Sequence, residues 1–507
     1  MDEYKNVLRN DIKGIHIHFV GIKGTGMVAL VEILHARGAV ITGSDVAEHF
    51  YTDEILEKYS IKAMDFSEKN ITPDVRLVIY SSAYSPEKTP DLRAAKEKNL
   101  PMLLYSEALG EISASAFSCG ICGVHGKTTT TGLAGTLLKE TNLPSQVLAG
   151  SIISSFGSSC TMTSDSARKE GTEYFVAETC EYQRHFMAFH PKKIVLTSVE
   201  SDHQDFYPTF KDIQNAFVDY ICLLPEKGQL IYCADDAGAV ETAGIARKKR
   251  PDIDFIPYGT NADGDYKLTF GTISGGYHNF NVSCLGDAKI KVPGDHNVRN
   301  ACAAVALCIE LIKSDGKNPA DYIEEIRRGL LNFSGGKRRS EIVGRAVNKY
   351  GQNVIFIDDY GHHPTAIKTT LAGFRDFYKG YKIIVDFMSH TYTRTAALLE
   401  EFASSFESAD TVIINKIYGS AREDASAAKV TGEILAERAK KYHSDVIYAG
   451  EFDEAASIAE DLLQKNALDP YSEGYLFVTM GAGDNWKVGS KLLDSMGGKK
   501  SSGGDGE

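Results

Sequence analysis

Phe117-Ser-Cys-Gly-Ile-Cys-Gly-Val-His-Gly-Lys-Thr-Thr-Thr-Thr131 is a short apolar run, a glycine turn and a threonine-rich helix start in immediate succession. Strand, turn and helix in that order aim backbone N–H groups at one point and create an anion cradle. Gly123, Val124, His125, Gly126, Lys127, Thr128 and Thr129 therefore form a candidate nucleotide-phosphate loop. Its lysine supplies a point charge, and a threonine hydroxyl suits Mg²⁺. Ile121 stands where the strict G-x-x-x-x-G-K-[ST] pattern has glycine, so the motif is a variant. Cys119 and Cys122 form a C-x-x-C within the strand; with no second pair and no histidine set nearby, they read as buried thiols rather than a zinc site.

Upstream, the chain alternates strand and helix: a strand Ile15 to Val20, a helix Met27 to Arg37, strands Val40 to Thr42 and Leu77 to Ser81, a helix Pro90 to Lys98, and a strand Met102 to Leu104. That rhythm predicts a parallel sheet covered on both faces. Downstream it continues through strands at Tyr174 to Val176 and Ile194 to Thr197 to a helix at Asn300 to Lys313. After the polar joint Phe333-Ser-Gly-Gly-Lys-Arg-Arg339 come four more buried strands, Val354 to Ile357, Lys382 to Phe387, Thr411 to Ile414 and Tyr475 to Thr479. The expectation is an α/β chain of three domains, residues 1–113, 114–335 and 336–496, with the Gly, Ser, Lys and acidic stretch 497–507 as a disordered tail.

Composition narrows the function. A length of 507 residues accommodates three domains, and 43% hydrophobic with 24% charged is a globular balance. A formal charge of -13 disfavours nucleic acid. No apolar stretch approaches the roughly 20 residues that span a bilayer, and Met1 to Lys13 lacks a signal-peptide core, which predicts a soluble, cytoplasmic protein with no membrane partner. Nine scattered cysteines make no disulfide framework.

Several further segments sit where ligands of open α/β sheets bind, just past strand C-termini. The first glycine turn, Gly21-Ile-Lys-Gly-Thr-Gly26, is spaced G-x-x-G-x-G, a poor nicotinamide fingerprint that still offers a helix N-terminus to a diphosphate, with Lys23 nearby and Asp45 placed to accept from a sugar or base. Glu178 and His203 follow neighbouring strands and are candidate metal ligands. Asn297 and Asn300 lie i,i+3 on one helix face, able to read a purine edge or, for Asn297, to cap the helix. Asp358-Asp-Tyr-Gly-His-His-Pro364 and His390-Thr-Tyr-Thr-Arg394 bring two histidines, an arginine and acids to strand ends in the third domain. Lys337, Arg338 and Arg339 carry fixed positive charge at the joint, well placed to close on phosphate.

Together these segments, with Ala177 to Phe186, Asp202-His-Gln-Asp205 and Gly481-Ala-Gly483, resemble the Mur ligase family from Ile15 to about Leu493. Asp358 to Thr365 and His390 to Thr395 are similar to its alanine-adding branch, and Cys180-Glu-Tyr-Gln-Arg-His-Phe186 to a Gram-positive form. The resemblance implies a Rossmann-like N-terminal domain, a central phosphate-loop ATPase domain with a mostly parallel sheet, and a Rossmann-like C-terminal domain. It implies ATP and Mg²⁺, and an amide ligase that adds L-alanine to the lactyl carboxylate of UDP-N-acetylmuramate through an acyl phosphate, as a monomer or weak homodimer. By that likeness Lys127 meets the β- and γ-phosphates, Thr128 and Glu178 serve one Mg²⁺ and His203 a second, and Asn297 with Asn300 reads adenine. Arg338 and Asp359 complete the ATP site, Tyr360, His362 and Arg394 lie near the amino acid, and Gly21, Lys23, Gly24, Thr25, Gly26, Ser44, Asp45, Ser81 and Ser82 hold the UDP-sugar. Lys23 and Thr25 stand where that family usually has a small residue or glycine. Two rivals share the motifs: a recycling ligase that joins a wall peptide to the same sugar nucleotide, and a non-catalytic ATP-binding switch, which would need neither His362 nor Arg394.

Overall fold

In the computed structural model, which describes residues 7–419 and 429–501, the alternating runs become four sheets. Two compact units divide the chain: residues 1–199, 214–263 and 303–329 form the first, and 200–213, 264–302 and 330–507 the second.

The first unit holds two sheets. Strands β1 (His16–Val20), β2 (Val40–Ser44), β3 (Val75–Tyr80) and β4 (Met102–Leu104) pair in parallel in the order β2-β1-β3-β4. A seven-stranded sheet follows, with β5 (Phe117–Cys122), β6 (Ser145–Ile153), β7 (Ser159–Thr163), β8 (Tyr174–Glu178), β9 (Lys193–Leu196), β10 (Gln229–Cys233) and β11 (Asp254–Tyr258) ordered β11-β10-β9-β5-β8-β6-β7. All its pairs are parallel except β6 with β7. The phosphate-loop strand β5 is thus central, with Cys119, Ile121 and Cys122 fully buried, and burial pushes the Cys119 thiol up to about 12. Those thiols are inert packing groups.

A charged clasp ties the two sheets of this unit together. Helix Thr25–Ala36 carries Glu32, buried, whose carboxylate accepts from Ser159 Oγ at 2.6 Å, Cys160 N at 3.1 Å and Thr161 Oγ1 at 3.3 Å on β7. Burial raises its pKa against these hydrogen bonds, as desolvation of a carboxylate must.

The second unit contains an antiparallel meander, β12 (Leu268–Ser274), β13 (Tyr277–Val282) and β14 (Gly286–Ile290). This corrects the expectation of an unbroken α/β rhythm. The alternating burial of Tyr277 to Val282 and the positive φ of Gly275, Gly276 and Gly286 account for the difference, since period two with tight glycine turns makes hairpins. The helix after it spans Asp295–Ser314, starting before the expected Asn300.

The unit's larger sheet comprises β15 (Glu341–Val347), β16 (Asn353–Asp359), β17 (Tyr381–Phe387), β18 (Thr411–Ile414), β19 (Val446–Tyr448), β20 (Gly474–Met480) and β21 (Lys499–Lys500), ordered β19-β18-β17-β20-β16-β15-β21. Its core shows strand parity directly. Ile355, Ile357, Val385, Phe387, Leu476 and Val478 pack in one apolar layer, while Val354, Phe356, Ile384, Tyr475 and Phe477 pack in the other. The four expected strands are those buried on both faces; β15, β19 and β21 lie toward the edges, where apolar runs are weaker. The expected disordered tail is corrected in part: Lys499 and Lys500 pair antiparallel with Arg345 and Gly344, while residues 502–507 lie outside the described residues.

Candidate functional site

The phosphate loop is built by hydroxyls at the end of the neighbouring strand. Gly123 has φ +134, and a Cβ there would collide with Thr197 Oγ1 and lie 2.8 Å from Ser198 N, so only glycine lets the loop approach β9's end. His125 N donates to Ser198 Oγ at 2.9 Å, and Val124 N to Ser198 O at 3.1 Å. Gly126, φ +83, then turns the chain into helix Lys127–Thr141, whose start carries Lys127 and buried Thr128.

Lys127 Nζ is held 3.1 and 3.0 Å from the two oxygens of Glu181. Burial works against its charge, but Glu181, with Cys180 and Glu178 adding, outweighs burial and pushes the ammonium up to about 12. The lysine is therefore permanently cationic. Glu178, the acid singled out in the sequence, instead accepts from Gly150 N at 2.9 Å. The two acids stand close together in the chain, and sequence spacing alone does not say which of them turns toward the lysine.

At the first glycine turn, Gly21 takes φ +83 and its N–H donates to Ser44 O at 2.8 Å. Asp45 is buried and commits its carboxylate to protein donors: Lys23 N at 2.7 Å, Val46 N at 2.8 Å and Tyr84 OH at 2.9 Å. Lys23 Nζ donates to the carbonyls of Val46 at 3.0 Å and Glu48 at 2.7 Å. Thr25 Oγ1 lies 2.8 Å from Tyr51 OH. Ser44 is buried, 3.5 Å from His18 Nε2; Ser81 Oγ accepts from Ala83 N at 3.3 Å, and Ser82 is exposed.

In the second unit, Asp202 meets Arg394 from 192 residues away in the chain, with His362 close by. Arg394 Nε and Nη2 donate to Asp202 Oδ1 at 3.0 and 2.9 Å, and both partners are buried. Burial alone would raise the Asp202 carboxyl, but Arg394, then His203 and His362, hold it well below the usual carboxylate range. His203 has φ +54, its N–H donating to Asp202 Oδ1 at 2.7 Å and its Nε2 3.8 Å from Asp202 Oδ2. His362 Nδ1 lies 3.0 Å from the Tyr360 carbonyl, which must accept. Burial, then Arg394, push its pKa well down, so the imidazole is neutral with its proton on Nδ1 and a lone pair on Nε2.

Around this group, Arg338 and Arg339 place their guanidinium carbons 5.3 and 5.2 Å from the Tyr360 ring centre. Arg338 also donates to Asp358 Oδ2 at 2.8 Å and to the Gly481 carbonyl at 2.7 Å. Burial, opposed by Arg338, brings Asp358 to about 6. Asp359 is committed to its own loop, accepting from Ser340 N at 2.7 Å and Gly361 N at 2.8 Å. Lys337 turns to Glu341 at 2.9 Å. Asn297 is neither a cap nor an open amide here: it donates to Pro293 O at 2.7 Å, while Asn300 donates to its Oδ1 at 3.3 Å. Sequence reasoning missed Glu200, which accepts from Thr365 Oγ1 at 2.9 Å and lies 4.0 Å from His363.

Three family models match in sequence: the Mur ligase family catalytic domain over residues 16–117, the Mur ligase middle domain over 121–308, and the Mur ligase glutamate ligase domain over 338–483. This chain belongs to the Mur ligase family. Among relatives of this Mur ligase, the UDP-N-acetylmuramate--L-alanine ligase of Treponema pallidum (strain Nichols) is 46% identical over 493 residues, 97% of this chain and 98% of that one. The protein of the same name from Borreliella burgdorferi is 37% identical over 93% of this chain and 97% of its own. Among solved structures, the UDP-N-acetylmuramate-alanine ligase of Thermotoga maritima aligns over 95% of this Mur ligase and 99% of its own chain with a TM-score of 0.73 at 22% identity. A murein peptide ligase from Psychrobacter arcticus aligns over 96% and 99% with a TM-score of 0.66 at 21% identity. These two likenesses concern the fold.

Proposed function

We propose that this Mur ligase couples ATP cleavage to amide-bond formation between the lactyl carboxylate of UDP-N-acetylmuramate and the amine of L-alanine, a step of peptidoglycan precursor synthesis in the cytoplasm. The observation that carries the reading is 46% identity to the Treponema pallidum UDP-N-acetylmuramate--L-alanine ligase across 97% of this chain. The local chemistry is consistent with it.

A carboxylate is a poor electrophile, so its oxygen takes the γ-phosphoryl group of ATP, giving an acyl phosphate and ADP. Lys127, kept cationic by Glu181, is the fixed charge that meets the phosphates. Thr128 and Glu178 offer the hard oxygen donors that suit Mg²⁺, with His203 toward a second ion; when bound, the metal supplies neutralisation of phosphate charge. The amine, its ammonium proton already lost to solvent, then attacks the acyl carbonyl; the bond from that carbonyl to the phosphate oxygen breaks, and the second amine proton leaves with the phosphate. His362, kept neutral, is suited to accept a hydrogen bond from the neutral amine at Nε2 and so orient it, because its Nδ1–H is occupied by the Tyr360 carbonyl. Arg394, oriented by Asp202, serves the amino-acid carboxylate. Asn297 and Asn300 would have to turn from each other and from Pro293 to read adenine.

The test is ATP-dependent phosphate release with UDP-N-acetylmuramate and each of alanine, serine, glycine and a short wall peptide, with the product mass measured. Release requiring sugar nucleotide and alanine, with one alanyl residue added, is the expected result. Release with peptide alone makes the protein a recycling ligase, and no release with any pair leaves a nucleotide-binding protein.

A further inference from the structure

The loop between β2 and helix Asp53–Lys58 has no secondary structure of its own beyond turns, and it exposes apolar Val46 and Phe50 at its surface. Such a segment has little to hold it, because few of its side chains gain from burial. What does hold it converges on one residue. The Lys23 side chain is 9% exposed. Its ammonium donates to Val46 O and Glu48 O, stands 3.5 Å from Asp53 Oδ2, and lies 5.8 Å from the Phe50 ring centre. Its own carbonyl accepts from Thr52 Oγ1 at 2.6 Å, and its N–H donates to Asp45. Lys23 thus touches the loop at its start, middle and end, while sitting in the glycine turn that opens helix Thr25–Ala36.

We propose that Lys23 is a positioning residue for the sugar nucleotide: a strap that draws the loop 45–53 against the first glycine turn and so preforms one wall of the nucleotide pocket. This rests on the ligase reading above, in which the UDP moiety lies at that turn. The physical case is that burying an ammonium costs desolvation, which two neutral carbonyls and the longer 3.5 Å contact with Asp53 offset only in part, so the contact is a poor choice as a mere stabiliser. It also removes ordering that the ligand would otherwise impose on binding, which is the gain from preorganisation. Because the ammonium and both Asp45 oxygens are engaged, recognition of the nucleotide at this turn passes to backbone N–H groups and to the loop itself.

Hydrogen exchange of unliganded full-length protein, together with binding of UDP alone and steady-state kinetics with UDP-N-acetylmuramate, separates the possibilities. In Lys23→Met, amides of residues 46–53 should exchange about tenfold faster. KM for the sugar nucleotide and Kd for UDP should rise by about tenfold while kcat changes less than about twofold, the pattern for lost ground-state binding. Lys23→Arg, whose guanidinium still spans two carbonyls, should restore both. Unchanged exchange in Lys23→Met overturns the strap even if affinity falls, since direct phosphate contact would then explain the loss. Faster exchange with unchanged KM and Kd overturns the positioning role. Failure of the unaltered protein to bind UDP-N-acetylmuramate overturns the ligase reading instead, and leaves the exchange result to be read by itself.

Discussion

Lys127 and Glu181 form an ion pair whose members face very different costs. Removing the lysine takes away the fixed positive charge that the phosphate loop itself contributes and leaves the buried Glu181 carboxylate without its ammonium; Lys127→Met should lower phosphate release by at least ~100-fold and also lower the thermal midpoint. Asp202 presents the converse case. Its substitution by Ala strands the Arg394 guanidinium in a buried position, a loss of about 3–5 kcal/mol in unfolding free energy by denaturant titration. Since the Asp202 carboxyl is held below its ordinary value, its contribution is present at neutral pH and fades as pH falls into the acid range. The variant should therefore differ least from the parent at low pH. Lys127, His362 and Arg394 are legible from sequence because each sits in a dense motif after a strand. Glu181 is not, because two carboxylates stand three residues apart and spacing does not say which meets the lysine; the chain after Glu181 is irregular, with Gln183 and Arg184 at positive φ.

Among elements, the helix Pro364–Phe377 meets the turn that opens helix Asp295–Ser314 at two glycines. A Cβ on Gly373 would lie 2.6 Å from Gly294 Cα and 3.0 Å from Gly294 N, where backbone has no room to yield. Gly373→Ala should cost about 1–3 kcal/mol and shift the helix start that carries Asn297, raising KM for ATP more than for the sugar nucleotide. Strands are readable where an apolar run is buried on both faces, as in β5, β16, β17 and β20. The meander β12 to β14 is not, because its alternating half-polar strands lie within a stretch whose surroundings all follow the strand-helix rhythm. Asn297 and Asn300 are recognisable as a pair, but their present hydrogen bonds come from a turn whose geometry no spacing rule contains.

Across the molecule, buried charge outside the site sets the pH response. Asp386 is fully buried between Asn415 Nδ2 at 2.9 Å and Asn485 Nδ2 at 3.2 Å. Burial outweighs both hydrogen bonds and brings it to about 7. A carboxyl whose folded pKa is raised stabilises the fold most below the unfolded value of 3.8, and that benefit is lost as pH climbs to about 7. Thermal unfolding should therefore show a decline in stability between about pH 4 and pH 7 that Asp386→Asn makes shallower, Glu32 and Asp358 supplying the rest; a variant as pH-sensitive as the parent would refute the assignment. Among the described residues the buried Oδ1 atoms of Asn415 and Asn485 meet no donor, and turning either amide over would present an acceptor to the protonated acid.

The two lysines of β21 also matter to anyone handling the protein. They cap the outer side of β15, which pairs on its inner side with β16. A chain stopped at Gly498 would bare that row of peptide groups, and Val347 on the same strand is already exposed. Such a truncation invites strand-to-strand self-association at the concentrations used for crystallisation.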